Sequence, residues 1–182
     1  ATNAALFAIG DNLRFENLTI RKKFVDGSYG VGIHAQHGRD IVIQGVDISG
    51  YSARYGIHLL EVENFKISDC HIHDFLFDKA GTDMIADSPA GLRVTRSVRG
   101  IIRGNRIIRI QVTSSGMESI SPLRPEYGPQ QYQSDLMTIV QCQLVTISGN
   151  IMATSGEGLD LILSSECTVT SNVIRDIWFQ GI

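Results

Sequence analysis

The sequence predicts an all-β solenoid, about six coils of three short parallel strands stacked along one axis. Two observations lead to this prediction. A phrase in which two apolar residues, five positions apart, flank a turn residue recurs six times along the 182 residues. An apolar residue stands ten positions before each copy, and in most copies a glycine precedes it. Equivalent positions are therefore expected to stack between coils, apolar inside and polar outside.

The first strand of each coil is built around the apolar residue that we number position zero. Position +2 is also apolar in every copy, so the side chain at +1 is expected to point outward. The residues at position zero are Ala5, Ile33, Ile57, Leu92, Met137 and Leu159, and those at +2 are Phe7, Ala35, Leu59, Val94, Ile139 and Leu161.

The second and third strands of each coil contain positions +10 and +15, which are apolar in all six coils. Position +12, between them, holds residues that tolerate a left-handed or turn backbone, which predicts a tight bend. These residues are Asn17, Gly45, Asp69, Gly104, Gly149 and Ser171.

Position +13 changes character along the chain, from Leu18, Val46 and Cys70 to Asn105, Asn150 and Asn172. Asparagines stacked at the strand spacing of ~4.8 Å can hydrogen-bond one another and the turn backbone, which offsets the cost of burying their amides. The apolar residues in the same column favour an inward asparagine ladder. The alternative is three solvent-exposed turn asparagines.

Coil length predicts where the chain departs from its bare unit of 22 to 24 residues. Two successive coils of 35 and 45 residues carry insertions, at about 73–90 and 108–135, and all four prolines fall within them. Proline cannot donate to a strand ladder, so this placement supports the strand assignments. The insertions would wall a groove over the first-strand sheet near Arg93 and Met137. Surface elaboration or an oligomer contact is the alternative.

Residues 1–182 are predicted to form one domain, and neither end offers a recognisable cap, so we expect an excerpt of a longer solenoid. A hydrophobic fraction of 43% is enough to fill a core, and the net charge of -3 argues against nucleic-acid binding. No apolar run is long enough to span a bilayer.

The cysteines occupy different columns, which argues against a disulfide, and two of them, Cys70 and Cys167, are expected to point inward.

The repeat resembles the right-handed parallel β-helix superfamily, the pectate-lyase-like repeat of polysaccharide lyases, C5-epimerases, polygalacturonases and phage tailspikes. The resemblance rests on Gly158-Leu159-Asp160-Leu161 and Ile147-Ser148-Gly149-Asn150-Ile151-Met152, and the repeat covers nearly the whole chain. It implies a carbohydrate-active protein that acts on a polysaccharide or oligosaccharide, without a required cofactor. It also implies an extracellular or virion-surface location, with a homotrimer if the protein is virion-associated. The superfamily hosts many chemistries, so the substrate is left open.

The candidate chemistry lies on the outward side of the first strands. Position +1 is Leu6, His34, His58, Arg93, Thr138 and Asp160. Position −2 adds Asp135 and Glu157 on adjacent coils. Asp135 on one coil with Glu157 and Asp160 on the next resembles the acids of tailspike glycosidases, although the polygalacturonases' Asn-Thr-Asp and Gly-His-Gly signatures are absent. In glycoside hydrolysis one carboxyl group protonates the leaving oxygen while another activates water or attacks the sugar, and crowding raises one pKa.

Uronate lyase or epimerase chemistry is the second possibility. His58 or His34 would act as the base, Arg93 would neutralise the substrate carboxylate and Tyr127 would donate a proton. Thr138 and Arg124 complete the candidate substrate contacts. The Asp-Pro-His motif of the epimerases is absent.

A non-catalytic β-helix is the third possibility, as a tail-fibre shaft, an adhesin or a glycan-binding stalk. The outward column would then be solvated surface, with Arg93 paired to Asp160.

Metal binding has weak support in the sequence. The aspartates of the first insertion are possible Ca²⁺ ligands, but no ligand-loop spacing supports such a site. These aspartates are Asp74, Asp78, Asp83 and Asp87. His71 and His73 flank the inward Ile72 and are expected to be solvated. We therefore predict no metal ligands.

Overall fold

The computed structural model describes residues 3–21, 30–51, 53–78, 89–113 and 134–180. Within these ranges the chain forms fifteen β-strands and no helix. The strands are β1 (Asn3–Ile9), β2 (Arg14–Glu16), β3 (Thr19–Arg21), β4 (Gly30–Gln44), β5 (Asp47–Tyr51), β6 (Ala53–Ser68), β7 (His71–Asp78), β8 (Ala90–Thr95), β9 (Val98–Arg103), β10 (Arg106–Thr113), β11 (Asp135–Val140), β12 (Gln143–Ser148), β13 (Ile151–Ile162), β14 (Thr168–Thr170) and β15 (Val173–Gln180).

The strands stack as a parallel β-helix with three faces, because each strand pairs in parallel with its equivalent in the neighbouring coil. The first sheet contains β1, β8, β11, the beginnings of β4 and β6, and the end of β13. The second contains β2, β9, β12, β14 and the ends of β4 and β6. The third contains β3, β5, β7, β10, β15 and the beginning of β13. The predicted solenoid is confirmed, with some strands continuing around a bend.

The predicted register is confirmed from the second coil onward. Ile33 pairs with Ile57, and the position-zero column continues through Leu92, Met137 and Leu159. The columns at +10 and +15 are in register across all six coils. Their side chains from the second to the fifth coil are buried and form one continuous core.

The first strand of the first coil is displaced by one residue from the prediction. Leu6, rather than Ala5, pairs with Ile33, and Phe7 pairs with His34. Phe7 is therefore an outward residue, 47% exposed, and Leu6 packs against the core. The reason is a shorter bend, since the first two strands of this coil are nine residues apart in register and those of the next coil are ten.

The bend at position +12 has the predicted backbone. All six residues there have left-handed φ angles, from 53° at Asn17 to 66° at Gly104. The same conformation recurs at +4, +7 and +17, in some coils at Asn or Asp and in others at residues whose type gives no such signal. Examples are His37, Glu61 and Arg109. Each coil therefore turns on several left-handed residues, of which the sequence pattern identified one.

The glycines that precede position zero allow the coils to approach closely. At Gly56 an added Cβ would lie 2.5 Å from the carbonyl oxygen of Gly91 and 2.6 Å from Cγ2 of Ile72. At Gly32 the corresponding distance to the carbonyl oxygen of Gly56 is also 2.5 Å. A side chain at either position would collide with backbone of the next coil.

The asparagine ladder is present between the second and third sheets. Asn105 and Asn150 are fully buried, and the side-chain amide of Asn105 donates to Oδ1 of Asn150 at 3.0 Å. Asn150 donates in the same way to Asn172 at 2.9 Å. The three amides also donate to the carbonyl oxygens of Ile67, Ile102 and Ile147. The prediction of an inward ladder is thus confirmed.

The cysteines are free thiols, with Cys70 and Cys142 buried and Cys167 partly buried against the core. Burial raises the pKa of Cys70 to about 11, so its thiol stays protonated at neutral pH. Most of both predicted insertions lies outside the described residues. Among the described residues, no helix is long and apolar enough to cross a membrane.

Candidate carboxylate site

Three acidic residues converge on the outer side of the first sheet. Asp135 begins β11, while Glu157 and Asp160 lie near the end of β13. The parallel register pairs Asp135 with Glu157 and Thr138 with Asp160. The predicted juxtaposition of the three acids follows directly from this pairing.

The three carboxyl groups are in close proximity. One oxygen from each lies within 4.8 Å of one oxygen from each of the others. Asp135 is only 3% exposed, and its Oδ2 accepts a 2.6 Å hydrogen bond from Thr138 Oγ1. Glu157 and Asp160 are half-buried. Asp135 therefore forms the floor of the cluster, with the other two acids nearer to solvent.

Burial and crowding keep protons on this cluster. Burial, with the neighbouring charge of Asp135, raises the pKa of Glu157 to about 8. Burial also raises the pKa of Asp135 to about 6, against the opposing effect of the Thr138 hydrogen bond. The pKa of Asp160 is raised by burial, while its contact with Glu157 and the charge of Arg93 oppose the rise. At neutral pH one carboxyl group is thus protonated beside ionised neighbours.

The cluster has a cationic neighbour. Arg93 lies on β8 and pairs with Thr138 on β11, and Thr138 in turn pairs with Asp160 on β13. Its guanidinium carbon lies 5.4 Å from the ring centroid of Tyr55, and its charge lowers the pKa values of Asp135 and Asp160. Arg93 is therefore placed to contact an anionic group of a ligand bound beside the acids.

The two candidate histidine bases lie farther along the same column, packed against each other. The rings of His34 and His58 are stacked with centroids 4.7 Å apart, and Tyr55 lies 5.0 Å from His58. Burial, with the charges of His34, Arg93 and Arg54, lowers the pKa of His58 to about 3. Burial also lowers the pKa of His34, which is 7% exposed. Both imidazoles are neutral at neutral pH, and His58 is a weak base.

Two candidate substrate contacts, Arg124 and Tyr127, lie outside the described residues. Asp83 and Asp87, which the sequence analysis considered as Ca²⁺ ligands without predicting a site, lie outside them as well. Asp74 has another role, since its carboxylate binds Arg109 and His73.

The carboxylate cluster itself is a donor set for a hard cation such as Ca²⁺, which prefers several carboxylate oxygens. A cation there would compete with the proton held by Glu157.

The sequence pattern missed a second donor cluster, Asp47, His71 and His73 on the third sheet. His73 was expected to be solvated, but its side chain is only 12% exposed, and the ring of His71 stacks on it.

A groove of about 720 Å³ lies elsewhere, over the second sheet. Its walls include Lys66, Ile101 and Leu144, and it does not include the acidic cluster. Its charged side chains are largely engaged in pairs, such as Arg99 with Glu63. The acidic cluster is favoured as the reactive site because burial and crowding raise the pKa values of its carboxyl groups.

Comparison with known proteins supports the fold and leaves the chemistry open. No individual curated protein and no solved structure gives a significant match to the chain. The family model described as "Right handed beta helix region" matches residues 4–182. The chain therefore belongs to the right-handed β-helix family.

Proposed function

We propose that this β-helix is a glycoside hydrolase that cleaves a polysaccharide bound along the outer side of its first sheet. The observation on which this rests is the carboxyl cluster, in which Glu157 has its pKa raised to about 8 beside two further acids. Glycoside hydrolysis requires a protonated and an ionised carboxyl group close together at the same pH. The cluster meets that electrostatic requirement.

Burial suggests a role for each acid. Glu157 is the general acid that protonates the leaving oxygen, because it remains protonated at neutral pH and is half-buried rather than sealed. Asp160 is the carboxylate that activates water or attacks the sugar, because the charge of Arg93 favours its ionised form. Asp135, at 3% exposure, acts on Glu157 through its charge rather than on the sugar.

The lyase or epimerase alternative is less well supported by the described residues. Removal of the proton beside a uronate carboxylate needs a base whose pKa lies near the working pH. The pKa of His58 is lowered to about 3, far below that range. Arg93 remains a plausible contact for a substrate carboxylate, so an acidic polysaccharide is the substrate class that we propose for hydrolysis as well.

The assay is the release of reducing ends from a panel of acidic and neutral polysaccharides. We expect Glu157→Gln and Asp160→Asn each to lower the rate by at least about 100-fold. Asp135→Asn should lower the pKa of Glu157 and move the alkaline limb of the rate profile, near pH 8 in the unmodified protein, to lower pH. Glu166→Gln, at an exposed glutamate near the second sheet, is the matched control and should leave the rate unchanged. Parallel assays with EDTA and with Ca²⁺ separate proton chemistry from cation chemistry.

Three results would contradict the proposal. Full activity in Glu157→Gln and Asp160→Asn excludes hydrolysis through these acids. Products with an unsaturated sugar, detected by ultraviolet absorbance and lost in Arg93→Ala, support a lyase. Glycan binding by the folded protein without any cleavage supports a stalk or adhesin. We further propose an extracellular or virion-surface location, which fits each of these polysaccharide-directed roles, with a homotrimer in the virion case.

A further inference from the structure

We propose that Asp47, His71 and His73, on the outer side of the third sheet, bind one divalent transition-metal ion of the zinc class. These residues lie on β5 and β7 in the second and third coils, away from the carboxylate site on β11 and β13. Asp47 pairs directly with His71 in the parallel register, and His73 follows two positions later on the same side of β7. The strand pairing thus brings the three side chains together.

Two distances between donor atoms are close to those of a tetrahedral site. Asp47 Oδ2 lies 3.4 Å from His71 Nδ1, and Asp47 Oδ1 lies 3.5 Å from His73 Nε2. Ligands held ~2.0–2.2 Å from a tetrahedral Zn²⁺ are about 3.3–3.5 Å from one another. His73 Nε2, which faces Asp47 Oδ1, is buried without a hydrogen-bond partner among the described residues. Buried polar atoms of this kind normally have a partner, and a metal ion would provide one.

A second layer of contacts orients His73 toward the site. His73 Nδ1 lies 2.6 Å from Asp74 Oδ2, and Asp74 also accepts a hydrogen bond from Arg109 Nη2 at 2.9 Å. A hydrogen bond from Nδ1 to a carboxylate leaves the Nε2 lone pair free to coordinate a metal. A carboxylate, a histidine and a metal ion are commonly connected in this way. The stacked rings of His71 and His73, 3.9 Å apart, fix the orientation of both imidazoles.

The donor set selects the kind of ion. Two imidazoles and one carboxylate suit Zn²⁺, Co²⁺ or Ni²⁺ and are a poor match for Ca²⁺ or Mg²⁺, which prefer oxygen ligands. Three protein ligands leave a fourth position for water or another small ligand. Nearby cations oppose the binding. Arg21 Nη2 lies 3.3 Å from Asp47 Oδ1, and Arg109 is paired with Asp74. Burial, followed by the charges of His73 and Arg106, lowers the pKa of His71.

The test is a calorimetric titration of EDTA-treated protein with Zn²⁺, with the visible absorption of bound Co²⁺ as a measure of tetrahedral coordination. We expect one Zn²⁺ per chain. His73→Gln and His71→Gln should each weaken binding at least about tenfold, and Asp74→Asn should do so about tenfold because it frees the His73 ring. Arg21→Gln should tighten binding about threefold, since the competing guanidinium is removed.

His37→Gln is the matched control, because His37 Nδ1 also lies close to a carboxylate, that of Glu61 at 2.8 Å, but without a second histidine. It should bind Zn²⁺ as the unmodified protein does. The proposal is overturned if no saturable binding of one Zn²⁺ occurs, if His73→Gln and His37→Gln bind equally, or if binding is lost in His34→Gln instead. Should His73→Gln fail to fold, His71→Gln decides, since the side chain of His71 is 37% exposed and tolerates replacement. Activity on polysaccharides has no part in this test, so it stands or falls separately from the proposed hydrolysis.

Discussion

Replacement of Asn150 by leucine tests the contribution of the asparagine ladder to stability. Asn150 is fully buried and stands in the middle of the ladder. Its Oδ1 accepts from the backbone N–H of Asn105 at 3.0 Å, and its Nδ2 donates to the carbonyl oxygen of Ile102 at 3.1 Å. Leucine is compatible with the column, because Leu18 occupies the equivalent position in the first coil. It can neither donate nor accept, so both backbone groups lose their side-chain partner.

The magnitude follows from these two groups. Each buried backbone group left without a partner costs about 1–3 kcal/mol. The added apolar surface of leucine offsets about 1 kcal/mol of that. We therefore expect Asn150→Leu to lower the free energy of unfolding by about 1–5 kcal/mol. Asn172→Leu, at the partly exposed end of the ladder, should cost about 1 kcal/mol, because water can reach the groups that it leaves.

Equilibrium urea unfolding followed by circular dichroism measures both variants, and amide hydrogen exchange at Asn105 provides a local measurement. Exchange at that amide should be faster in Asn150→Leu, since its acceptor has been removed. The reasoning is refuted if Asn150→Leu is as stable as the unmodified protein, or if Asn172→Leu is destabilised as much as Asn150→Leu.

Three further predictions concern the acidic cluster and the glycine column. The pKa of Glu157 is raised from an unfolded value of 4.5 to about 8 in the folded state, so the free energy of unfolding should fall as pH rises between these values. The fall should be less steep in Glu157→Gln, and melting temperatures that depend on pH equally in both proteins would contradict this. Thr138→Val should raise the pKa of Asp135 above 6, because the hydroxyl group that stabilises the carboxylate is lost; a carboxyl-carbon NMR titration measures this, and a lowered pKa would refute it. Gly56→Ala should destabilise the protein by about 3 kcal/mol, since the new Cβ would lie 2.5 Å from the carbonyl oxygen of Gly91. Thermal melting measures this loss of stability, and an unchanged melting temperature would show that the coils can separate without cost.

The inward columns of the solenoid could be predicted from the sequence because burial restricts residue type at every coil. Ile43, Ile67 and Ile102 stack as the spacing of the repeat requires. The same register brought Asp135 beside Glu157, so the proximity of the acids was predictable as well. Register determines which side chains are neighbours, and from the second coil onward it follows from apolar periodicity.

Features that depend on bend length and side-chain packing were not predictable in this way. The first strand of the first coil is displaced by one residue because its bend is shorter. The sequence did not show this displacement, because Ala4, Ala5 and Leu6 are all apolar and each is acceptable next to the core. The left-handed backbone at Arg109 has no compositional signal. The ring of His71 stacks on the largely buried His73, and the strongly lowered pKa of His58 results from burial and, second, from the charge of His34. Such effects arise between coils, where the repeat pattern within one coil contains no information about them.

The shorter first bend bears on how this protein can change length. One residue fewer between the first two strands of the first coil leaves both strands aligned with their counterparts in the second. The bends between strands therefore accommodate the gain or loss of a residue, whereas a deletion inside a strand would turn its core-facing residues toward solvent. Peptide tags, new ligand-binding loops or additional coils can accordingly be inserted at these bends without repacking the interior. An insertion within a strand would disrupt the core of that coil.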